Sequence, residues 1–370
     1  MEISPKRLVE IFIDLINISA TAKQEKPVAD YIRIFLEKLD IRTCEDKTGE
    51  LIGGNTGNII ATIGNHQNTG PDIALISHMD TVKPTAGIRP QINNNRITTD
   101  GRTILGADNR AGIALILSLV EHLYQEKIKH HPFEIIFTVG EETGLYGSTN
   151  LDLGIVKSRV AYILDSSADP GYFVYAAPGA IDFHIDFEGK GSHAAVNPEQ
   201  GINAIKMAAD LIHHMQLGKV DENTTINFGK IEGGEANNVV PPYVNLTGEI
   251  RSFYRENIDN YYASFEKHLE DVRQKYSGKC SIKRQEAFPG FILDQKSAPV
   301  KRLSNSLKAV GLTPSPIKYY GGSDANVLNN RGITAIDLGI GAKNPHSVDE
   351  YIKISDMVSI GRLIRHLVAG

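Results

Sequence analysis

Hydrophobic residues in the first half of the chain recur with two different periods. Leu, Ile, Val and Phe repeat at helical spacing over 5–19, 26–39 and 109–126, which predicts three helices. Continuous apolar runs predict strands that are buried on both faces. These runs are NIIATI (58–63), DIALIS (72–77), FEIIFTVG (133–140) and VAYILD (160–165). Buried strands that alternate with helices indicate an α/β fold, a mostly parallel mixed sheet with helices on both faces.

The pattern changes after Pro178. In AIDFHIDFEG (180–189) apolar and polar residues alternate strictly, which predicts a strand with one solvated face in an antiparallel sheet. The elements predicted next are a helix over about 199–216, strands over 224–231 and 243–252, a helix over about 256–276 and a strand over 280–288. The order β-α-β-β-α-β is that of an α+β, ferredoxin-like unit.

From about residue 292 the buried pattern returns. A helix near 298–310, the strand ITAIDLG (333–339) and a closing helix over 354–368 complete it. We therefore expect one discontinuous α/β domain, formed by residues 1–178 and 292–370, with residues 179–291 inserted as a smaller domain. A chain of 370 residues is long enough for about two domains.

Composition narrows the function classes only slightly. A net charge of −5 argues against nucleic acid or an anionic membrane as a partner. The longest apolar run, AGIALILSLV (111–120), is too short to span a bilayer, and the N-terminal segment does not resemble a signal peptide. The only two cysteines, Cys44 and Cys280, are far apart in sequence, which favours a reducing, cytoplasmic setting.

Acidic and imidazole side chains follow the predicted buried strands. His78 and Asp80 follow IALIS, Asp108 follows an irregular segment over 87–106, Glu141 and Glu142 follow FEIIFTVG, Asp165 ends VAYILD, and His346 lies in the loop GAKNPHSVDE. In open α/β sheets, sites form outside the carboxyl ends of the strands. We therefore expect these side chains to meet at one edge of the sheet.

The negative charges of so many carboxylates at one edge require a compensating positive charge. Two like charges about 5 Å apart at an effective dielectric near 20 repel by roughly 3 kcal/mol. Divalent cations remove this repulsion, and imidazole and carboxylate ligands without thiolate suit zinc, with cobalt or manganese as alternatives. Two such ions form a hydrolytic centre. The Glu141–Glu142 pair then has a purpose, because one glutamate binds a metal while its neighbour takes the proton from water.

Each position also has a simpler interpretation. Asp108 could be only the N-cap of a helix, and Asp165 could only begin a turn. His346 could be a surface histidine, and His78 a hydrogen-bonded residue at a strand end. A single metal centre accounts for all of these positions together, whereas the simpler interpretations must all hold independently. The sequence therefore favours the metal centre.

Five motifs in order resemble those of the cocatalytic metallopeptidases of clan MH, family M20, and especially its peptidase T-like members. The motifs are SHMDTV, LGADNRAGIA, EETGLYGS, ILDSS and NPHSVDE. The resemblance covers essentially the whole chain. It implies a zinc-exopeptidase-like fold with an inserted lid domain, through which some members dimerise.

The resemblance also implies a role for each residue of the predicted centre. His78 and Asp165 would complete one metal site, Glu142 and His346 the other, and Asp108 would bridge the two, with a cis peptide bond after it. Glu141 would be the general base and would later protonate the leaving amine. Asp80 would orient the His78 imidazole from behind.

Substrate-binding residues are implied in the lid and in one loop of the α/β domain. His193, in GKGSHA, matches a histidine that helps to polarise the scissile carbonyl, in dimeric members from the partner subunit. Asn238 is the expected donor to substrate or oxyanion, and Arg251 matches an arginine that binds a substrate carboxylate. Gly322, in YYGGSDANVL, allows close approach of the backbone to a ligand. Ser323 or Asp324 could equally only cap the next helix.

A rival interpretation comes from GKGSHA (189–194), which fits the dinucleotide-binding pattern G-x-G-x-x-G/A and raises a nucleotide-binding oxidoreductase as an alternative. The preceding strand is amphipathic rather than buried, and Pro198 lies where the helix should begin. This alternative is therefore disfavoured.

The expected function is a dinuclear metal-dependent exopeptidase acting on short peptides, with an aminopeptidase on di- or tripeptides preferred. Carboxypeptidases and N-acyl amino-acid deacylases of the same family are the alternatives, because they share the metal ligands. A metal-binding member without catalysis is disfavoured by the intact Glu141. A homodimer through the lid domain is expected from the family.

Overall fold

The computed structural model describes residues 3–64 and 72–370 of the chain. Over these residues the helices are α1 (Pro5–Ile16), α2 (Lys26–Glu37), α3 (Thr48–Ile52), α4 (Ala107–Gln125), α5 (Tyr146–Asn150), α6 (Ala204–His214), α7 (Arg255–Tyr276), α8 (Ala298–Ala309), α9 (Asp324–Asn330) and α10 (Ile354–Ala369). Within the same ranges, no helix is both long enough and apolar enough to cross a membrane.

The strands lie between these helices. They are β1 (Thr43–Glu45), β2 (Ile59–Ile63), β3 (Ile73–His78), β4 (Gln91–Asn93), β5 (Arg96–Thr98), β6 (Phe133–Thr138), β7 (Val160–Ser166), β8 (Tyr172–Ala177), β9 (Gly179–Glu188), β10 (Gly218–Lys219), β11 (Thr224–Gly233), β12 (Tyr243–Ser252), β13 (Lys279–Phe288), β14 (Phe291–Ile292), β15 (Ser315–Lys318), β16 (Thr334–Gly339) and β17 (Ile352–Lys353).

The chain divides into two compact units. The first runs to Ala176 and resumes at Leu293, and the second is Ala177–Ile292. The sheet of the first unit has the order β1-β2-β6-β3-β7-β16-β8, with β15 beside β8. Its central strands β6, β3, β7 and β16 are parallel, whereas β1, β2 and β8 pair antiparallel with their neighbours. The predicted mostly parallel mixed sheet is therefore confirmed.

Apolar sequence explains why the central strands lie inside. Every residue of β3 and β6 is buried. Helices α1, α4 and α10 pack their apolar faces into the same core through residues such as Phe12, Leu115 and Ile364. Strands this apolar need cover on both faces, and parallel order brings their carboxyl ends to one edge.

The second unit is an α+β sandwich with its own core. Its sheet has the order β10-β11-β12-β9-β13, and the strand pairs are antiparallel. Ile181, Phe183, Ile185 and Phe187 of β9 are buried with residues of α6 and α7, while the alternate positions point away from this core. Apart from the two-residue β10, the elements follow the predicted β-α-β-β-α-β order, so the ferredoxin-like prediction is confirmed.

Some local predictions were wrong. The segment over 87–106 is not wholly irregular, because β4 and β5 form a hairpin there and β17 pairs with β5. The helix expected from about residue 199 begins at Ala204, preceded by a short 3₁₀ turn over Pro198–Gln200. Asn203 caps this helix through the backbone N–H of Lys206, which explains the later start.

Candidate active site

Three side chains meet at the carboxyl ends of neighbouring strands β3 and β7. His78 ends β3, and its Nε2 lies 3.0 Å from Oδ1 of Asp108 and 3.3 Å from Oδ1 of Asp165. Asp165 lies at the end of β7, and Asp108 at the beginning of α4. The sheet topology therefore brings together residues that are up to 87 positions apart in sequence.

A second group forms around the other oxygen of Asp108. His346 Nε2 lies 3.5 Å from Asp108 Oδ2 and 3.0 Å from Glu142 Oε2. The Asp108 carboxylate thus turns one oxygen toward each histidine. Donor atoms of His78, Asp108 and Glu142 all lie within 4.8 Å of one another, which is close enough for a shared metal ion.

Asp80 fixes the geometry behind these groups. Its carboxylate accepts hydrogen bonds from the backbone N–H groups of Glu141 and Glu142, each at 3.1 Å. Oδ1 also lies 3.3 Å from Nδ1 of His78. Burial alone would raise the pKa of Asp80, but His78 and these two N–H groups lower it. One buried carboxylate therefore orients an imidazole and the adjacent glutamate pair together.

Burial and the close approach of charged groups shift the pKa values of several residues in the cluster. Burial, with the negative charges of Asp165, Asp324 and Glu142, raises the pKa of Glu141 well above its usual value. Burial likewise raises the pKa of Asp165 to about 7. Burial opposes the charged form of His78, yet the surrounding carboxylates raise its pKa well above the ordinary value.

Hydrogen bonds to Asp108 and Glu142 raise the pKa of His346 to about 10. The neighbouring carboxylates thus raise the pKa of both histidines, and a divalent ion would offset the same negative charge. Two imidazoles with the carboxylates of Asp108, Glu142 and Asp165 form a nitrogen and oxygen donor set that fits zinc, cobalt or manganese.

Asn109 is a residue of the site that the sequence analysis did not identify. The Asp108–Asn109 peptide bond is cis, as the family resemblance implied. Asn109 Nδ2 donates to Oδ1 of Asp165 at 2.9 Å, and its Oδ1 accepts from the N–H of Gly112. Asn109 therefore orients the Asp165 carboxylate and caps the regular part of α4.

Four further buried carboxylates surround the cluster, and the sequence analysis assigned none of them a role in the site. Glu25 accepts from the N–H of Gly140 at 2.8 Å, and Asp337 from that of Ser166 at 2.9 Å. Asp324 accepts from the Thr138 hydroxyl at 2.6 Å, and Glu350 accepts from two backbone groups near Asp108. Asp337 could have been found from the sequence, because it is a lone acidic residue within an apolar strand. Glu25 could not, because it resembles an ordinary residue at a helix start.

Glu25 gives a testable dependence of stability on pH. Burial, with the nearby Asp80 charge, raises its pKa from 4.5 to about 7. A carboxyl group with a raised folded-state pKa stabilises the fold below its unfolded pKa, and this contribution disappears as pH rises through the folded value. In metal-free protein, Glu25→Gln should therefore gain stability over wild type between about pH 4.5 and 7, by the order of 3 kcal/mol.

Urea unfolding of both proteins in chelator at several pH values measures this difference. The exposed Glu126→Gln in α4's C-cap is the control, and it should track wild type throughout. A constant difference between Glu25→Gln and wild type across this range would contradict the prediction.

Two of the expected substrate-binding residues lie together in the second unit. The N–H of Ala194 donates to the Asn238 carbonyl at 2.9 Å, and His193 forms a β-bridge with Val239. His193 is exposed, and its Nδ1 accepts from the N–H groups of Ala195 and Val196, both at 3.2 Å. Its proton therefore resides on Nε2, which suits a hydrogen-bond donor to a carbonyl.

Arg251 lies elsewhere in the same unit. It belongs to the far end of β12 and pairs with Glu249 through Nε at 3.0 Å and Nη2 at 2.9 Å. Arg251 lies eight positions after Tyr243 at the start of β12, which is roughly 26 Å along an extended strand. The structure does not bring Arg251 close to the His193–Asn238 pair within one chain.

The remaining expectations concern two glycine-containing segments. Gly322 directly precedes Ser323, which caps α9 in a capping box with Asn326, while Asp324 is a buried carboxylate near the cluster. GKGSHA follows the antiparallel strand β9, and the next α-helix begins only at Ala204. A nucleotide-binding turn needs a parallel strand that leads directly into a helix, so the oxidoreductase interpretation lacks its structural context.

Comparison with known proteins identifies the class. The profile of the M20 peptidase dimerisation domain matches residues 175–277, and that of peptidase family M28 matches residues 58–166. The uncharacterised protein YqjE of Bacillus subtilis is 34% identical, over 98% of this chain and 97% of its own. The chain belongs to the M20 family of metallopeptidases.

Two solved structures are similar over nearly the whole length. The aminopeptidase PepT from Bacillus cereus is 33% identical, with 99% of this chain and 98% of that chain covered and a TM-score of 0.93. A tripeptidase from Staphylococcus aureus is 31% identical, with 100% and 99% covered and a TM-score of 0.95. The predicted resemblance to peptidase T-like members is therefore confirmed.

Proposed function

We propose that this protein is a dinuclear metal-dependent exopeptidase that removes the N-terminal residue of di- or tripeptides. The observation that carries the proposal is the Asp108 carboxylate, which directs one oxygen toward His78 and the other toward His346. The similar aminopeptidase and tripeptidase structures support the choice of reaction.

The contacts support the metal-binding roles that the family resemblance implies. His78 and Asp165 would hold one ion, Glu142 and His346 the other, and Asp108 would contact both. Zinc is the proposed ion, since the donor set has two imidazoles and no thiolate. When bound, divalent ions polarise the amide carbonyl and make water more acidic.

Glu141 is the proposed general base. Its backbone N–H is fixed by Asp80, and its neighbour Glu142 contacts His346, so its position relative to the cluster is set on both sides. Burial and like charges raise its pKa, which favours proton uptake from the attacking water. The same proton is then available for the leaving amine.

Substrate contacts are proposed for His193, Asn238, Arg251 and Gly322. The Nε2–H of His193 would donate to the scissile carbonyl, and Asn238 beside it would donate to the developing oxyanion. Arg251 would exchange its Glu249 partner for a substrate carboxylate, which its planar guanidinium can bind through two hydrogen bonds. Gly322 would allow the substrate to approach the backbone.

A homodimer is proposed because one chain cannot apply all of these groups to one substrate. An extended tripeptide spans about 10 Å, whereas roughly 26 Å of β12 lies between Arg251 and the His193 end of the strand. Dimerisation is assigned to the inserted unit, where β10 covers only the first part of β11 and leaves Ile231 half exposed. Sedimentation that finds only monomers would contradict this.

Peptides with free and blocked ends test the proposed reaction. We expect release of the N-terminal residue from free di- and tripeptides, loss of activity in chelator, and recovery with Zn²⁺, Co²⁺ or Mn²⁺. Hydrolysis of N-acetyl amino acids instead would assign the protein to the deacylases, and release of the C-terminal residue from N-blocked peptides would indicate a carboxypeptidase.

A cytoplasmic location, expected from the two free cysteines, is a further proposal, which cell fractionation would test.

A further inference from the structure

Glu350 is a buried carboxylate with an unusual pair of partners. It lies four residues after His346, and only 1% of its surface is exposed. Oε2 accepts from the N–H of Gly106 at 2.7 Å, and Oε1 accepts from the N–H of Asp108 at 3.0 Å. Both carboxylate oxygens thus bind the short segment that carries Asp108.

This segment needs an external partner because α4 begins irregularly. Gly106, the N-cap, has a left-handed backbone and no side chain to cap the helix, and Asp108 and Asn109 are not helical. The N–H groups at a helix start have no partner within the helix. Glu350 supplies that partner from a different part of the chain.

The loop that carries His346 is itself held at its base. Lys343 and Tyr351 exchange two backbone hydrogen bonds of 2.8 and 3.0 Å, which close the loop around His346. Lys343 Nζ donates to the carbonyl of Ser167 at 2.8 Å, close to Asp165. Glu350 lies at this base, so its two hydrogen bonds connect the His346 loop directly to the Asp108 segment.

We propose that Glu350 is a positioning residue for the metal centre, which holds the Asp108 carboxylate at the correct place and angle between His78 and His346. The inference rests on the proposed function, because it assigns Asp108 to both ions. Both oxygens of Glu350 are engaged by backbone N–H groups, so no direct contact with substrate or metal is assigned to it. It acts by fixing the backbone on either side of Ala107 relative to the loop of His346.

Glu350→Gln tests this role with little change in shape. The carboxamide keeps one acceptor but points an N–H group at a second N–H donor, so one of the two bonds is lost. We expect zinc affinity, measured by calorimetry on chelator-stripped protein, to fall about 10- to 100-fold at one or both sites. The absorption spectrum of the Co²⁺-loaded protein should change as well, because it reports the ligand geometry.

Asp349→Asn is the matched control. Asp349 is the preceding residue, is exposed, and loses the same unit of charge when replaced. It should retain wild-type zinc affinity and the wild-type Co²⁺ spectrum. Glu350→Asp keeps a carboxylate on a shorter side chain and should recover part of the affinity lost in Glu350→Gln.

The outcomes separate the two proposals. If wild-type protein binds none of Zn²⁺, Co²⁺ and Mn²⁺, the proposed function fails. If wild type binds two ions and Glu350→Gln matches it in affinity and spectrum, only the role of Glu350 is overturned. If circular dichroism shows that Glu350→Gln does not fold, two other measurements test the role of Glu350. They are the zinc affinity of Glu350→Asp and the amide exchange of the wild-type protein. Rapid exchange at Gly106 and Asp108 in the metal-loaded protein would then refute the two hydrogen bonds.

Discussion

Glu141→Gln should slow turnover strongly while leaving metal binding intact. The amide is similar in size but cannot take a proton from water, and the backbone of residue 141 remains fixed by Asp80. Loss of a general base costs about 10²- to 10⁴-fold in rate, so kcat should fall by that factor with little change in KM. Zinc calorimetry should still find two ions.

Steady-state kinetics on a free tripeptide measures the effect, with Glu126→Gln as the control. Glu126 is exposed and is the C-cap of α4, at the opposite end of that helix from Asp108, so this variant should match wild type. A Glu141→Gln enzyme with more than about a tenth of wild-type kcat would rule out Glu141 as the base.

Asp108→Ala should disable both metal sites at once. The Asp108 carboxylate is within 3.5 Å of both His78 Nε2 and His346 Nε2, so its removal takes an oxygen donor from each side of the cluster. When the ions bind less tightly, the negative charges of the remaining carboxylates are no longer offset. We expect kcat/KM to fall by more than about 10³-fold.

Metal content after dialysis against zinc, measured by atomic absorption, should drop below one ion per chain for Asp108→Ala. Asp294→Ala changes an exposed aspartate of the same unit and should keep two ions. Normal zinc content with unimpaired activity in Asp108→Ala would show that the two sites do not share this residue.

Much of the fold could be predicted from hydrophobic spacing. Strands β3, β6 and β7 are mostly apolar and were located to within one or two residues, because buried parallel strands tolerate few polar positions. Strands β4 and β5 were missed, since three-residue strands with exposed side chains carry too little pattern. The start of α6 was misplaced because Glu199 and Gln200 suit a helix equally well.

The cluster itself was also predictable in composition. His78, Asp108, Glu142, Asp165 and His346 were all expected at one edge, and the contacts place them there. The supporting carboxylates were not predictable. Glu25 and Glu350 lie in segments whose sequences fit a helix start and a loop, and their partners are backbone N–H groups, which have no signature in the sequence.

The sequence by itself determined the two units, the parallel order of the central strands and the residue types gathered at their carboxyl ends. These features depend on the periodicity of hydrophobic residues, which is local, and on the rule that the carboxyl ends of parallel strands share one edge, which follows from topology. Both can be read from the sequence. Only the tertiary structure decided which oxygen faces which histidine, and which buried acids hold the backbone beneath them. The reason is that burial, hydrogen bonding and like-charge crowding depend on distances of a few ångströms between residues far apart in the chain.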